Sequence, residues 1–289
     1  MAIYHCSVKV GSRSGGKSAV ASDAYREEKK LTDERTGEIH DYSKKRDVVE
    51  SLTLTPENAP TSFSDSSVLW NEVEKSEKRK DAQLFREVEV SLPRELSHEQ
   101  NKALTLEYVN DNFVIKGMCA TVSFHESKSD NPHAHIMLTT RAVDRDGFRK
   151  KERSWNDRKL VEEWRASWAE KANKCLEKNN IDQKIDHRSF ERQGLDKQPT
   201  VHLGPVAHEM EKRGQRSERG DINREVERQN SMLNKPEQSN GIADGITQAR
   251  LAFEAHKAAM ERQKKEQAKQ KMAELKAQRS RTEDRGMSR

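Results

Sequence analysis

The spacing of hydrophobic residues changes period several times along this chain, and each change marks an element. Residues 2–10, AIYHCSVKV, alternate: Ala2, Tyr4, Cys6, Val8 and Val10 share one face, and Ile3, His5, Ser7 and Lys9 the other, which predicts a strand. GSRSGG then reads as a flexible turn, and KSAVASDAYREEKK, rich in Ala, Glu and Lys, predicts a helix. A second helix is expected over residues 66–81, with Asp65 or Ser64 as its N-cap. LFREVEVSLP (84–93) alternates again until Pro93 stops it. Leu84, Val88, Val90 and Leu92 take one side with Arg86 as the exception among them, and Phe85, Glu87, Glu89 and Ser91 take the other. A third helix over 97–112 starts at Ser97, with Gln100 at the capping-box position.

Further on, CATVSFH (119–125) and HAHIMLTTR (133–141) are two strand patterns joined by ESKSDNP, which predicts an antiparallel hairpin with a long loop. Leu160, Trp164, Trp168, Ala172 and Cys175 recur at helical spacing, so 156–179 is expected to be an amphipathic core helix. After HLGP (202–205) the sequence turns polar and helix-prone, breaks near Pro236 and ends in an Ala/Lys/Gln/Glu-rich run. These elements imply an α+β fold, a central antiparallel sheet flanked by helices, over residues 1–210, followed by a charged helical or partly disordered tail over 211–289.

Composition supports the tail: only 32% of residues are hydrophobic and 36% are charged, polar for a chain that is globular throughout. Of the net charge of +5, residues 257–289 carry +6, from 11 Lys or Arg against 5 Asp or Glu, so the rest is close to neutral. Such a tail suits phosphate backbones, or is simply a solvated helix. No apolar run approaches the ~20 residues needed to span a bilayer, and no secretory signal is evident. Cys6, Cys119 and Cys175 are scattered, without a CxxC pair, which fits a reducing cytoplasm and speaks against thiolate-held zinc.

Candidate chemistry enters with the strand faces. His133 and His135 are two apart and point to one side, while Ala134, Ile136 and Leu138 point into a core. On the partner strand Val122 and Phe124 are the apolar face, leaving Thr121, Ser123 and His125 opposite. A surface histidine pair would explain His133 and His135 alone. The third histidine on the matching face points instead to a metal site with open positions, catalytic rather than structural. Glu87 and Glu89 lie on the corresponding face of another strand, where either can orient a metal-bound imidazole or accept a proton from a nucleophile.

Tyr25, beside Ala24 in the short helix, reads by itself as a packing residue. Its surroundings change that. AIYH, GSRSGGKSA followed by ASDAYREE, FREVEVSLP, NPHAHIML, IDHRSFERQG and VHLGP occur in order over about the first 205 residues. In these segments the chain resembles the plasmid mobilisation relaxases of the MobA/MobL (MobQ) type; the last 80 or so residues have no such match. The resemblance implies an HUH-endonuclease fold, a histidine triad at His125, His133 and His135, a tyrosine nucleophile at Tyr25 and a carboxylate at Glu87, with Glu89 the weaker candidate. It further implies nicking and rejoining of one strand at a plasmid transfer origin through a 5′-phosphotyrosyl intermediate, on single-stranded or locally melted DNA. Accessory relaxosome proteins and a coupling protein are the implied partners. The tyrosine precedes the histidine pair, whereas in related rolling-circle initiators it follows, which favours a conjugative relaxase. Three imidazoles favour Mn, Co, Ni or Zn on softness, yet phosphoryl chemistry commonly uses Mg, so a divalent ion, Mg or Mn, is expected. Lys9, Arg13, Lys17 and the FRKKER run (148–153), with Arg149, Lys150 and Lys151, are candidate DNA contacts. A replication initiator, a nuclease that activates water, and a non-catalytic DNA- or partner-binding protein working through its tail are the competing readings.

Overall fold

A computed structural model of the chain describes residues 4–125 and 131–233. The link expected between the two histidine-bearing strands lies mostly outside them, as do the start of the first strand, the break near Pro236 and the basic run after it. The chain divides into two compact units, Met1–His187 and Arg188–Arg289.

In chain order the strands of the first unit are β1 (Cys6–Ser12), β2 (Lys30–Asp33), β3 (Glu38–Asp41), β4 (Val48–Leu54), β5 (Gln83–Ser91), β6 (Ala120–His125), β7 (His133–Thr139), β8 (Arg141–Asp144) and β9 (Gly147–Lys151). Its helices are α1 (Ala19–Glu27), α2 (Ser66–Ser76), α3 (His98–Asn112) and α4 (Arg158–Lys178). Five strands form one antiparallel sheet in the order β1-β5-β7-β6-β4, and β2-β3 and β8-β9 are separate two-stranded hairpins. The α+β architecture is therefore as the sequence implies.

Alternation along the strands splits the core into two layers. On one face Val88, Val90, Val122, Phe124, Ala134, Ile136 and Leu138 pack under α3 and α4, which contribute Leu104, Tyr108, Trp164, Trp168 and Ala172. On the other, Phe85 and Met137 meet Ala19, Val20, Leu69, Trp70 and Val73 from α1 and α2. Leu84 joins this second layer rather than the first, where the alternation puts it. Arg86 is a true exception: it is buried in the α4 layer, its guanidinium 5.5 Å from the Trp164 ring centroid and donating to Asn156 Oδ1 at 2.7 Å. Ser97 and Gln100 form the reciprocal capping box that the sequence predicts, which fixes the start of α3.

The differences have local causes. β1 runs on through Gly11 and Ser12 into what reads as a turn, because Gly11 pairs with Phe85 and the Phe85 ring fills the space a β-carbon would need. The first helix is shorter than its composition suggests: Ser18 caps its start, and Glu28, in the left-handed region at φ 55°, ends it before Lys30 opens β2. The helix expected over 66–81 stops at Ser76, with Asp65 as its N-cap. β2 and β3 are not evident in the sequence because their residues are mostly polar, and in β4 Glu50 interrupts the face that Val48, Leu52 and Leu54 share. FRKKER, which looks like a lysine-rich loop, supplies strand β9.

The second unit contains α5 (Gly204–Lys212) and α6 (Glu218–Leu233). The extended stretch before α5 is clipped to α6 by side-chain amides. Asn223 Oδ1 accepts the Val201 amide at 2.7 Å and Asn223 Nδ2 donates back to Val201 O, and Asn230 brackets Gln198 in the same way.

Candidate active site

Strand register brings the histidines together. His125 is directly opposite His133 across β6 and β7, and His135 lies opposite Ser123 on one side and Glu89 on the other. The three imidazole centroids are 4.8 to 5.2 Å apart, and one ring nitrogen of each lies within 4.8 Å of the others.

Each ring is also held from outside the cluster. His125 Nε2 donates to the Arg26 carbonyl at 2.9 Å, His133 Nδ1 to the Asn131 carbonyl at 2.9 Å, and His135 Nδ1 to Glu87 Oε1 at 2.8 Å. Because those partners only accept, each bonded nitrogen must carry the proton. In the neutral form of each ring the other nitrogen, Nδ1 of His125 and Nε2 of His133 and His135, carries a lone pair. Three rings held this way by outside acceptors fit a divalent metal ion. Electrostatics agree: burial first, then the neighbouring His135, pushes His125 down to about 4, and burial likewise lowers His133, so both are neutral ligands near pH 7.

Glu87 is buried beneath His135. Burial alone would raise its pKa, but hydrogen bonds from His135 and Arg26 outweigh that and hold the carboxyl at about 2. With its Oε1 shared between His135 Nδ1 and Arg26 Nε at 2.6 Å, it orients an imidazole rather than waiting for a proton. Glu89 sits to one side. His5, 3.6 Å away, and Lys9, 2.9 Å away, hold its carboxyl well below the usual range. Glu87, Glu89 and His135 form a second group with metal-ligand spacing.

Tyr25 is on α1, 47% exposed. Its neighbour Arg26 joins that helix to the histidines twice, through its carbonyl to His125 and through its guanidinium to Glu87. The sequence reading missed Arg26. Adjacency to Tyr25 was the only available signal, since its partners lie 61 and 99 residues away.

The candidate DNA contacts are scattered. Lys9 is on the histidine face, paired with Glu89. Arg13 is engaged by Glu74 at 2.5 Å and by the Arg79 carbonyl at 2.9 Å. Lys17 is exposed just before the cap of α1. On β9, Arg149 pairs with Asp144 and Lys151 with Glu77 at 3.1 Å, whereas Lys150 is exposed and has no ion pair among the described residues. None of the described helices is long and apolar enough to cross a membrane.

Comparison with known proteins matches this fold and this site region to one group. The family model described as "MobA/MobL family" matches residues 17–213. The mobilization protein MobL of Acidithiobacillus ferridurans is 37% identical over 262 residues, covering 78% of this chain and 68% of that protein. The conjugal transfer protein TraA of Agrobacterium fabrum is 37% identical over 268 residues, 80% of this chain but 24% of its own length. A TraA of Rhizobium radiobacter is covered to 26%, so the chain spans about a quarter of these two relatives. A solved structure described as "Molecular Basis of Vancomycin Resistance Transfer in Staphylococcus aureus" is 33% identical with a TM-score of 0.62, covering 65% of this chain and all of that one. On the match over residues 17–213 and the 37% identity to MobL across most of both chains, this chain belongs to the MobA/MobL family.

Proposed function

We propose that this protein is a relaxase: it nicks one strand of a plasmid transfer origin and later rejoins it, starting conjugative mobilisation from the bacterial cytoplasm. The observation that carries the reading is the union of two parts. Three imidazoles are each oriented by an outside acceptor, and the helix bearing an exposed tyrosine is bonded into the same cluster through Arg26.

The steps assigned to this chain's residues follow from that arrangement. Tyr25 attacks the scissile phosphorus through its phenolic oxygen, forming a 5′-phosphotyrosyl bond as the bond to the 3′ oxygen breaks. The phenolic proton leaves to solvent and the departing 3′ oxygen takes one up, so the bond energy stays in the adduct and the 3′-hydroxyl can reverse the step. His125, His133 and His135 hold a divalent ion, Mg or Mn in the cell. When bound, the ion supplies charge neutralisation and orientation at the phosphate. Glu87 and the Arg26 carbonyl fix two of the three imidazoles, and Asn131 fixes the third. Lys17 and Lys150 neutralise flanking phosphates of a single-stranded or locally melted target, with Lys9, Arg13, Arg149 and Lys151 available only where DNA displaces their present partners. We assign this activity to residues 1–210. Accessory relaxosome proteins and a coupling protein are the proposed partners, with residues 211–289 as the segment proposed to meet them.

The test is a denaturing gel. Wild-type protein with labelled single-stranded transfer-origin DNA and Mg or Mn should give a protein–DNA adduct that a chelator abolishes and that Tyr25→Phe cannot form. Cutting by both proteins with no adduct would replace the relaxase with a nuclease that activates water.

A further inference from the structure

The residue that ends α1 has an uncommon backbone. Glu28 lies at φ 55°, where a β-carbon is disfavoured. Its side chain accounts for the conformation. Glu28 Oε2 accepts the amides of Asp47 at 2.9 Å and Val48 at 3.3 Å, and the Lys29 carbonyl accepts the amide of Tyr42 at 3.2 Å. The segment 42–48 is thereby strapped back over the end of the helix that bears Tyr25.

The strap delivers two side chains to that tyrosine. Tyr42 meets the Tyr25 ring edge-on, with centroids 5.2 Å apart and planes at 84°. Lys45 Nζ lies 3.8 Å from the Tyr25 ring centroid, and the same ammonium is 3.9 Å from Glu28 Oε1. One carboxylate therefore holds the strap by its backbone and steadies the cation that the strap carries. An ammonium over a phenol face is attracted by the ring's negative π surface. The attraction increases when the phenolic oxygen gains negative charge, because that charge spreads into the ring. A cation so placed favours the states in which a tyrosine oxygen attacks or departs.

Resting on the reading of Tyr25 as the nucleophile, we propose that Lys45 is a positioning residue for nicking and rejoining. It fixes the exposed Tyr25 ring and offsets the charge on its oxygen in both directions. In nicking, the Tyr25 O–P bond forms as the P–O3′ bond breaks; in rejoining, the same two bonds exchange in reverse. Solvent takes and returns the protons, and no further reactant is needed. Glu28 acts one step behind, by holding the strap.

The test uses the full chain as wild type, Lys45→Met, Lys45→Arg and Tyr25→Phe. Nicking and rejoining of a labelled transfer-origin oligonucleotide are followed in single turnover at saturating DNA, and DNA affinity is measured separately without metal. Lys45→Met should slow both saturated rates about tenfold while affinity stays within about twofold, and Lys45→Arg should recover most of the loss. With ¹³C-labelled tyrosine, the ring signal that vanishes in Tyr25→Phe should move in Lys45→Met, and the signals of half-buried Tyr4 and buried Tyr108 should not. An unchanged saturated rate, a loss wholly explained by weaker DNA binding, or an unmoved Tyr25 signal would overturn the proposal. An adduct still formed by Tyr25→Phe would remove the reading beneath it. Failure of Lys45 alone looks different: Tyr25→Phe forms no adduct and Lys45→Met is unimpaired.

Discussion

Two clusters of buried carboxylates lie on the same unit of this protein, and they are built to opposite plans. Around Glu74 and Glu77 every charge is met by another. Glu74 accepts the Ala19 amide at 2.6 Å, Arg13 at 2.5 Å and Arg35 at 3.1 Å, and Glu77 receives Arg141 at 2.8 Å and Lys151 at 3.1 Å. That network ties α1, α2 and the β8-β9 hairpin together and has nothing left to give a ligand. Around Glu87 the chain of bonds runs from Arg26 to the carboxylate to His135 and ends on an imidazole lone pair. At His125 and His133 a backbone carbonyl takes the place of the carboxylate. A closed network stabilises a fold, whereas an open one with its outer bonds satisfied orients imidazoles toward one another.

The largest expected effect falls on the proposed nucleophile. Tyr25→Phe should lower strand scission by several orders of magnitude without altering the melting temperature, as measured by adduct formation and thermal unfolding together. Next comes Glu74→Ala, which removes the buried carboxylate that Arg13, Arg35 and the Ala19 amide share. It should cost about 2–3 kcal/mol of stability in denaturant titration. Metal affinity should be unchanged if the two clusters are independent, and a loss of affinity to match the loss of stability would erase the distinction drawn between them. Glu87→Gln should do the reverse, weakening metal binding about 10–100-fold by calorimetry while costing less stability than Glu74→Ala.

The smallest effect is a pH dependence. In metal-free protein His125 is held at about 4, against an ordinary 6.5, so below about pH 6.5 the unfolded chain takes up a proton that the folded ring refuses. Stability should therefore fall as pH drops from about 6.5 toward about 4. The fall at Glu87, whose carboxyl sits near 2 against an ordinary 4.5, belongs to a lower window, from about 4.5 down to about 2. His125→Asn should reduce the upper slope to the part that His133, also lowered by burial, contributes, and leave the lower one. A slope in His125→Asn as steep as wild type would assign the upper window to another group.

How much of this the sequence disclosed depended on the range of each interaction. Alternation by two placed His125, His133 and His135 on one face, and the register of β6 and β7 places them there too, because strand geometry is local. Ser97 and Gln100 were legible for the same reason. Arg26 and Lys45 were not. Arg26 acts on partners in β5 and β6, and Lys45 reaches Tyr25 only through the strap that Glu28 closes. Nor could charge alone rank the DNA contacts: Arg13 and Lys151 look as free as Lys17 and Lys150 until their buried acidic partners are seen. β2 and β3 escaped notice because polar strands have no hydrophobic period to detect, and β4 because Glu50 breaks the period of Val48, Leu52 and Leu54.

The central claim is that Tyr25, coupled through Arg26 to the histidine cluster, carries the DNA. Peptide mapping of the protein–oligonucleotide adduct by mass spectrometry tests it most directly. The account predicts a single modified peptide, with the 5′-phosphate of the oligonucleotide on Tyr25. An adduct on any other residue, such as Tyr42 beside it, or a 3′-phosphate linkage, would contradict the account.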